Sequence, residues 1–288
     1  MLSRVFSLLP VLKIHSWGGF GSQLFTAYVI LKVQKRYPGR RIKVIVHTSG
    51  VTRRVSEFEF AKLGAKVVQV EDFENIEKQS KSVINSLHQS SNALKLLKKI
   101  AFRLLKALRI VQTADTNQSL DSVSLWTLAL RGHYTQLSLD KELITCLYKI
   151  LFENRGFQRS TNGSAIIHYR LGDLLSLVEK SPISPERVEK VLELAGPKIG
   201  STKVLSDSSE IEYRNFVTGS RVLSSLMLKT LEPVPSLWLC ITANVFIGTG
   251  TKLSLWAAIF RDIMHSDRSF LPNELKWAEV IGLKADWY

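Results

Sequence analysis

The chain has 288 residues, enough for two α/β cores, and 45% of them are apolar with charges scattered among them; a disordered or fibrous protein is excluded. It carries 39 basic against 25 acidic residues, a net charge of +14, so an anionic partner is expected. Two cysteines far apart in sequence, Cys146 and Cys240, exclude a disulfide framework or a zinc spacing and read as two buried free thiols of a reducing compartment.

The first ten residues hold a short apolar run with no small-residue cleavage site and do not read as a signal peptide. Residues 11–15 read as a strand that runs through Ser16-Trp17-Gly18-Gly19-Phe20-Gly21-Ser22-Gln23 into an apolar-periodic helix from about Leu24 to Tyr37. Glycines between strand and helix leave amide N–H groups bare at a helix N-terminus, where an anion is favoured. The plainer alternative is a tight turn. A dinucleotide fingerprint would need a glycine at Leu24 and an acid closing the next strand at 42–47; a P-loop would need Gly-Lys-Ser/Thr. Neither is present. A helix near 53–63 and a strand at 66–70 continue the alternation.

From Asn92 to Gln112 the chain has six cations and no anion. Lys95, Lys98, Lys99, Arg103, Lys106 and Arg109 share one side of a helical wheel; Leu94, Leu97, Ala101, Leu104, Leu105 and Leu108 share the other. Such a helix either packs its leucines on the core or lies on an anionic membrane surface. Nucleic acid is not expected as a partner, because no helix-turn-helix, zinc-finger spacing or aromatic RNA-binding strand is found. Residues 124–131 lead to Tyr134 and Gln136, residues 138–155 read as a helix, and 154–163 is the best linker. The expected domains are therefore 1–155 and 160–288.

The second half opens with a strand at 165–169 that exits into His168-Tyr169-Arg170-Leu171-Gly172-Asp173. A cation, a proton carrier and a carboxylate at a strand end suit a ligand site at the edge of an α/β sheet. A surface salt bridge and a core histidine are the alternative. A helix after Pro185, a strand at 203–206, a helix at 220–230, a strand near 244–247 and a helix at 253–264 follow. The run 236–260 is apolar enough to suggest a membrane span, but Lys252, glycines and hydroxyls interrupt it, so buried strand, loop and helix are expected. Strands alternating with helices predict parallel sheets, and two such halves predict a ligand cleft between them.

Five segments taken together resemble the α-1,2-fucosyltransferase family. Gly18 to Phe25 is similar to its Gly-Gly-Leu-Gly-Asn-Gln-Leu/Met-Phe opening, and His168 to Asp173 to its His-x-Arg-Arg-x-Asp. Gly132 to Gln136, Leu205-Ser206-Asp207 and Thr249 to Ala258 resemble its Gly-Tyr-x-Gln, Phe-Ser-Asp-Asp and Ser-Asn-Ser-Ser-Phe-Ser-Trp-Trp-Gly-Ala segments, in the family's order. Ser22, Leu171, Ser208 and Leu255 depart from it.

The resemblance implies two Rossmann-like domains facing a cleft (glycosyltransferase type B), with the acceptor on the first domain and the nucleotide sugar on the second. It implies inverting transfer of fucose from GDP-fucose in surface-polysaccharide synthesis, without a metal. The absence of Asp-x-Asp and His-Glu-x-x-His from the sequence agrees with the last point. Arg170 would meet the diphosphate. Lys252, where the family has a small hydroxyl residue, is the candidate to replace the second Arg. Gly18, Gly19, Gly21, Gln23, Ser206, Asp207, Thr251 and Ser254 are the further donor-site candidates, with a helix N-cap as the alternative for Asp207. His168 and Asp173 are the candidate bases, and His15 is a structural histidine or a second cleft residue. The acceptor is expected to be an oligosaccharide or lipid-linked glycan, and the location the cytoplasm or the inner membrane face. A catalytically impaired sugar-nucleotide-binding homologue and a basic membrane-peripheral or nucleic-acid-binding protein are the alternative readings.

Overall fold

The computed structural model describes residues 9–48, 56–70, 100, 103–113, 120, 123–135, 140–153, 155–156, 165–176, 181–196, 201–264, 268–276 and 283–288, except the side chains of Thr113, Asp173, Ser176 and Met264. The chain divides into two compact units, Met1–Leu137 and Ser138–Tyr288.

In the first unit, strands β1 (Leu12–Trp17), β2 (Ile42–His47), β3 (Lys66–Val70), β4 (Val111–Thr113) and β5 (Ala129–Arg131) form one sheet in the order β3-β2-β1-β5-β4. All pairs are parallel, with Ile14 of β1 beside Val44 and Leu130. Helix α1 (Phe20–Arg36) follows β1 and is buried almost all round, from Phe20 to Val33, as its continuous apolar sequence requires. It begins four residues earlier than its periodicity predicts, because Gly19 is its extended N-cap; Gly21 lies inside its buried first turn. The described part of the stretch expected as a helix near 53–63 is a 3-10 turn, Phe60–Leu63. Gly64 in the left-handed region ends it.

Residues 103–107 are helical, as the wheel predicts, but the helix expected to reach Gln112 stops there: Arg109 turns left-handed, with φ of 57°, and Val111–Thr113 is strand β4. Residues 103–109 are exposed on every side. Leu104, Leu105 and Leu108 are therefore not packed on a core. The rest of the basic stretch, 92–99 and 101–102, lies outside the described residues, as does Gln136.

In the second unit, β6 (Ala165–His168), β7 (Thr202–Leu205), β8 (Met227–Lys229), β9 (Val245–Gly248), β10 (Arg268–Leu271) and β11 (Asp286–Trp287) form a second all-parallel sheet. Its order is β11-β10-β9-β6-β7-β8. Counted from β6 this is 3-2-1-4-5-6, the Rossmann order, and it reverses between β6 and β9. Helices α2 (Lys141–Phe152), α3 (Pro185–Ala195), α4 (Glu210–Phe216), α5 (Arg221–Ser225), α6 (Pro233–Thr242) and α7 (Lys252–Met264) accompany it.

Three expectations need correction here. The domain boundary expected at 155–160 lies at 137/138, because α2 buries Leu143, Ile144, Leu147, Leu151 and Phe152 within the second unit. The rings of Tyr148 and Phe152 meet those of Trp238 and Phe260. Cys146 on α2 is exposed, not buried, whereas Cys240 is buried as expected. The helix expected over 220–230 stops at Ser225, where Ser224 and Ser225 turn their hydroxyls back on the carbonyls of Arg221 and Val222, and Met227–Lys229 joins the sheet as β8.

The run 236–260 resolves into buried helix, strand and helix. Among the described residues no helix is long and apolar enough to cross a membrane.

Candidate functional site

The carboxyl ends of β6, β7 and β9 bring the second unit's chemistry together where the strand order reverses. β6 is a short apolar strand, and the residues after it alternate in direction. Tyr169 and Leu171 enter the core beside Ile167, Val188 and Val204, while Arg170 keeps 30% of its side chain exposed. Leu171 is fully buried.

Asp207, at the end of β7, ties that edge to the end of β6. Its Oδ1 accepts the backbone N–H groups of Leu171 and Gly172, both at 3.0 Å, and its Oδ2 lies 3.9 Å from Arg170 Nε. The carboxylate thus caps the 3-10 turn Gly172–Ser176 and faces the guanidinium. Helix α4 is capped instead by Ser209, in a reciprocal box with Glu212. Gly172 is required by proximity: a Cβ there would stand 2.9 Å from the Asp207 Cγ. Ser206 is buried, with its hydroxyl 3.0 Å from that of Ser208.

From β9 the chain turns through Thr249-Gly250-Thr251 into α7. Thr249 Oγ1 accepts the Arg170 N–H at 3.1 Å and donates to the His168 carbonyl at 2.9 Å, which fixes the backbone under Arg170. Thr251 caps α7 by accepting the Ser254 N–H at 2.9 Å. Its hydroxyl then donates to Ser254 Oγ at 3.1 Å, and Ser254 Oγ lies 2.8 Å from His168 Nδ1. The Ser254 hydroxyl, which can accept and donate at once, joins the imidazole to the start of α7. Burial lowers the His168 pKa from 6.5 to about 4, against the attraction of Asp207 and with the repulsion of Arg170. His168 is a neutral imidazole at neutral pH. Gly248 permits this contact, since a Cβ there would stand 2.7 Å from the Ser254 Cβ.

Of the residues expected at a donor site, His168, Arg170, Ser206, Asp207, Thr251 and Ser254 share one sheet edge, and Lys252 is the first residue of α7. The side chain of Asp173 lies outside the described residues. Thr249, Gly172 and Gly248 were in or beside the motifs but carried no role in the sequence. A glycine at a strand exit was the available signal for the last two.

Gly18, Gly19, Gly21 and Gln23 belong to the first unit. Only Gly18 needs a left-handed backbone, with φ of 86°. Gln23 is buried: its Oε1 accepts the N–H groups of Glu57 and Phe58 at 2.9 and 2.8 Å, and its Nε2 donates to the Gly18 carbonyl. It holds the glycine turn and the 56–58 segment together. Tyr134 is buried too, its hydroxyl on the His15 and Leu130 carbonyls. His15 is not a lone histidine, for its Nδ1 lies 2.8 Å from His47 Nε2 and its ring stacks with Trp17. A hollow of about 430 Å³ beside it is lined by Lys13, Lys43, Arg131 and apolar residues of the sheet. Among the described residues no group of three or more His, Cys, Asp or Glu could hold a metal ion.

No protein-family model matches the chain. No curated protein matches it either. Among solved structures it is similar to Escherichia coli heptosyltransferase WaaC with ADP, at 13% identity over 96% of this chain and 92% of that one, TM-score 0.49. It is similar to a family 9 glycosyltransferase from Veillonella parvula, at 12% identity over 91% and 80%, TM-score 0.46. A UDP-GlcNAc 2-epimerase from Neisseria meningitidis bound to UDP-GlcNAc gives 10% identity over 91% and 82%, TM-score 0.43.

Proposed function

We propose that the chain is a glycosyltransferase that takes a sugar from a nucleoside-diphosphate donor held by the second unit. The observation that carries this reading is the convergence of Arg170, neutral His168 and the Thr251–Ser254 start of α7 at the reversal point of a 3-2-1-4-5-6 sheet. The departing diphosphate gains negative charge, and preformed donors beside it lower the barrier. Arg170 supplies a permanent cation braced by Asp207 and Thr249. His168 supplies a neutral imidazole beside it. The acceptor hydroxyl must lose a proton as the bond to the anomeric carbon forms, and His168 and Asp173 are the candidates for that task. The same resemblance supports fucose from GDP-fucose, an inverting α-1,2 transfer, and a role in surface-polysaccharide synthesis.

The second reading is a sugar-nucleotide-binding homologue with impaired turnover. It is favoured by buried Leu171 at the place of the family's second cation. Lys252 at the first position of α7 is the residue that would replace that charge.

Thermal shift against a panel of nucleotide sugars tests both readings. GDP-fucose, or another nucleotide sugar, is expected to raise the melting temperature. Arg170→Ala is expected to weaken that binding by about 1.5–3 kcal/mol, roughly ten- to a hundredfold. Lys252→Ala is expected to weaken it by less. Donor hydrolysis or transfer separates transferase from impaired homologue. No response to any nucleotide sugar overturns both.

A further inference from the structure

The exposed turn 103–109 does not stand alone. Leu128 N–H donates to the Ile110 carbonyl at 2.8 Å, and Thr127 Oγ1 to the Arg109 carbonyl at 3.0 Å, so the 124–128 loop is fastened beside the end of the basic helix. Buried Arg40 braces that loop from below by donating to the carbonyls of Ser124, Leu125 and Thr127. The loop presents Trp126 with 71% of its surface exposed, next to a helix end presenting Leu104 at 57% and Leu108 at 65%. Ile100, Leu105 and Leu128 are exposed as well. Arg103, Lys106 and Arg109 alternate with these leucines along the chain and are exposed too, and the segments 100–113 and 123–128 contain no acidic residue.

We propose that this surface of the first unit seats the protein on an anionic lipid membrane. Leucines and a tryptophan enter the headgroup boundary, where an indole ring is favoured. The three cations reach the lipid phosphates around them, with their aliphatic stems lying along the apolar patch. A second copy of the chain fits poorly, since it brings the same charge of +14 to the contact. Nucleic acid would use the cations but gain nothing from exposed leucines. The spacing of the cations alone suggests a basic helix; the fastened tryptophan loop makes the patch a two-point anchor.

Flotation of the full chain with vesicles of phosphatidylcholine alone, and of phosphatidylcholine mixed with phosphatidylglycerol, tests this. Flotation with the anionic vesicles only is expected. Leu104→Ser/Leu108→Ser, Trp126→Ala and Arg103→Glu/Lys106→Glu are each expected to lower partitioning at least about tenfold, and added salt to lower it further. All five positions are exposed, so circular dichroism is expected to stay unchanged. The proposal is overturned by no flotation in either mixture, by equal flotation of every variant, or by variants that abolish self-association while lipid binding stays. None of these outcomes touches the nucleotide-sugar reading, which rests on second-unit residues.

Discussion

Asp207 performs two tasks with two oxygens, and each can be removed separately. Asp207→Ala deletes the acceptor for Leu171 and Gly172 and is expected to destabilise the protein by about 1–3 kcal/mol in urea unfolding. Asp207→Asn can keep that acceptor while losing the charge beside Arg170; stability is expected to hold while donor binding changes. Gly172→Ala pushes a methyl group into the carboxylate and should resemble the alanine variant of Asp207, although it changes no polar group. His168 gives a pH signature. The unfolded imidazole binds its proton near pH 6.5 and the folded one only near pH 4, so stability is full above 6.5 and falls as the pH drops toward 4. In His168→Gln this acid slope should be shallower, as read from melting temperatures across that range. The identity of the Arg170 motif was legible in the sequence. The Ser254 partner of His168 was not, because it lies 86 residues away.

At the scale of elements, Arg261 on α7 is fully buried and joins three parts of the second unit. Its guanidinium donates to the carbonyls of Cys240 and Ile241 at the end of α6, to Ala243 and Asn244, to Arg268 on β10 and to the Ser269 hydroxyl. The cation sits at a helix C-terminus, where the dipole favours it. Arg261→Met strands several carbonyls and is expected to cost at least about 3 kcal/mol, with Arg261→Lys recovering only part because an ammonium lacks the planar fork. Urea denaturation of the two variants checks this. The sequence could announce some elements and not others. Pro185 marks the start of α3, as expected, whereas α4 was not among the expected helices although its Ser209–Glu212 capping box stands at a readable three-residue spacing. β8 was hidden, since Met227–Lys229 is too short to show a period and becomes a strand only by pairing with β7.

At the scale of the molecule, α2 decides where the second unit begins. Its five buried apolar residues are each worth roughly 1.5–3 kcal/mol as an upper range. Together they rival the ~5–15 kcal/mol net stability of an ordinary domain. A fragment 138–288 is therefore expected to unfold cooperatively, and a fragment 157–288, cut at the expected linker, to be unfolded or far less stable; circular dichroism melts compare them. Alkylation of the native protein should label Cys146 and spare Cys240, whose thiol burial holds well above the ordinary thiol range, until denaturant is added.

The sequence by itself determined the alternation of strands and helices, the parallel sheets and the strand ends that carry charged groups, because hydrophobic period and glycine placement are local properties of the chain. Packing alone decided that Gln23 and Tyr134 bond to backbone, that Leu171 fills the core, that α2 belongs with the second sheet, and that the 124–128 loop is fastened at Arg109 and Ile110. Those outcomes depend on which distant group meets each side chain, and packing between segments far apart in sequence sets that.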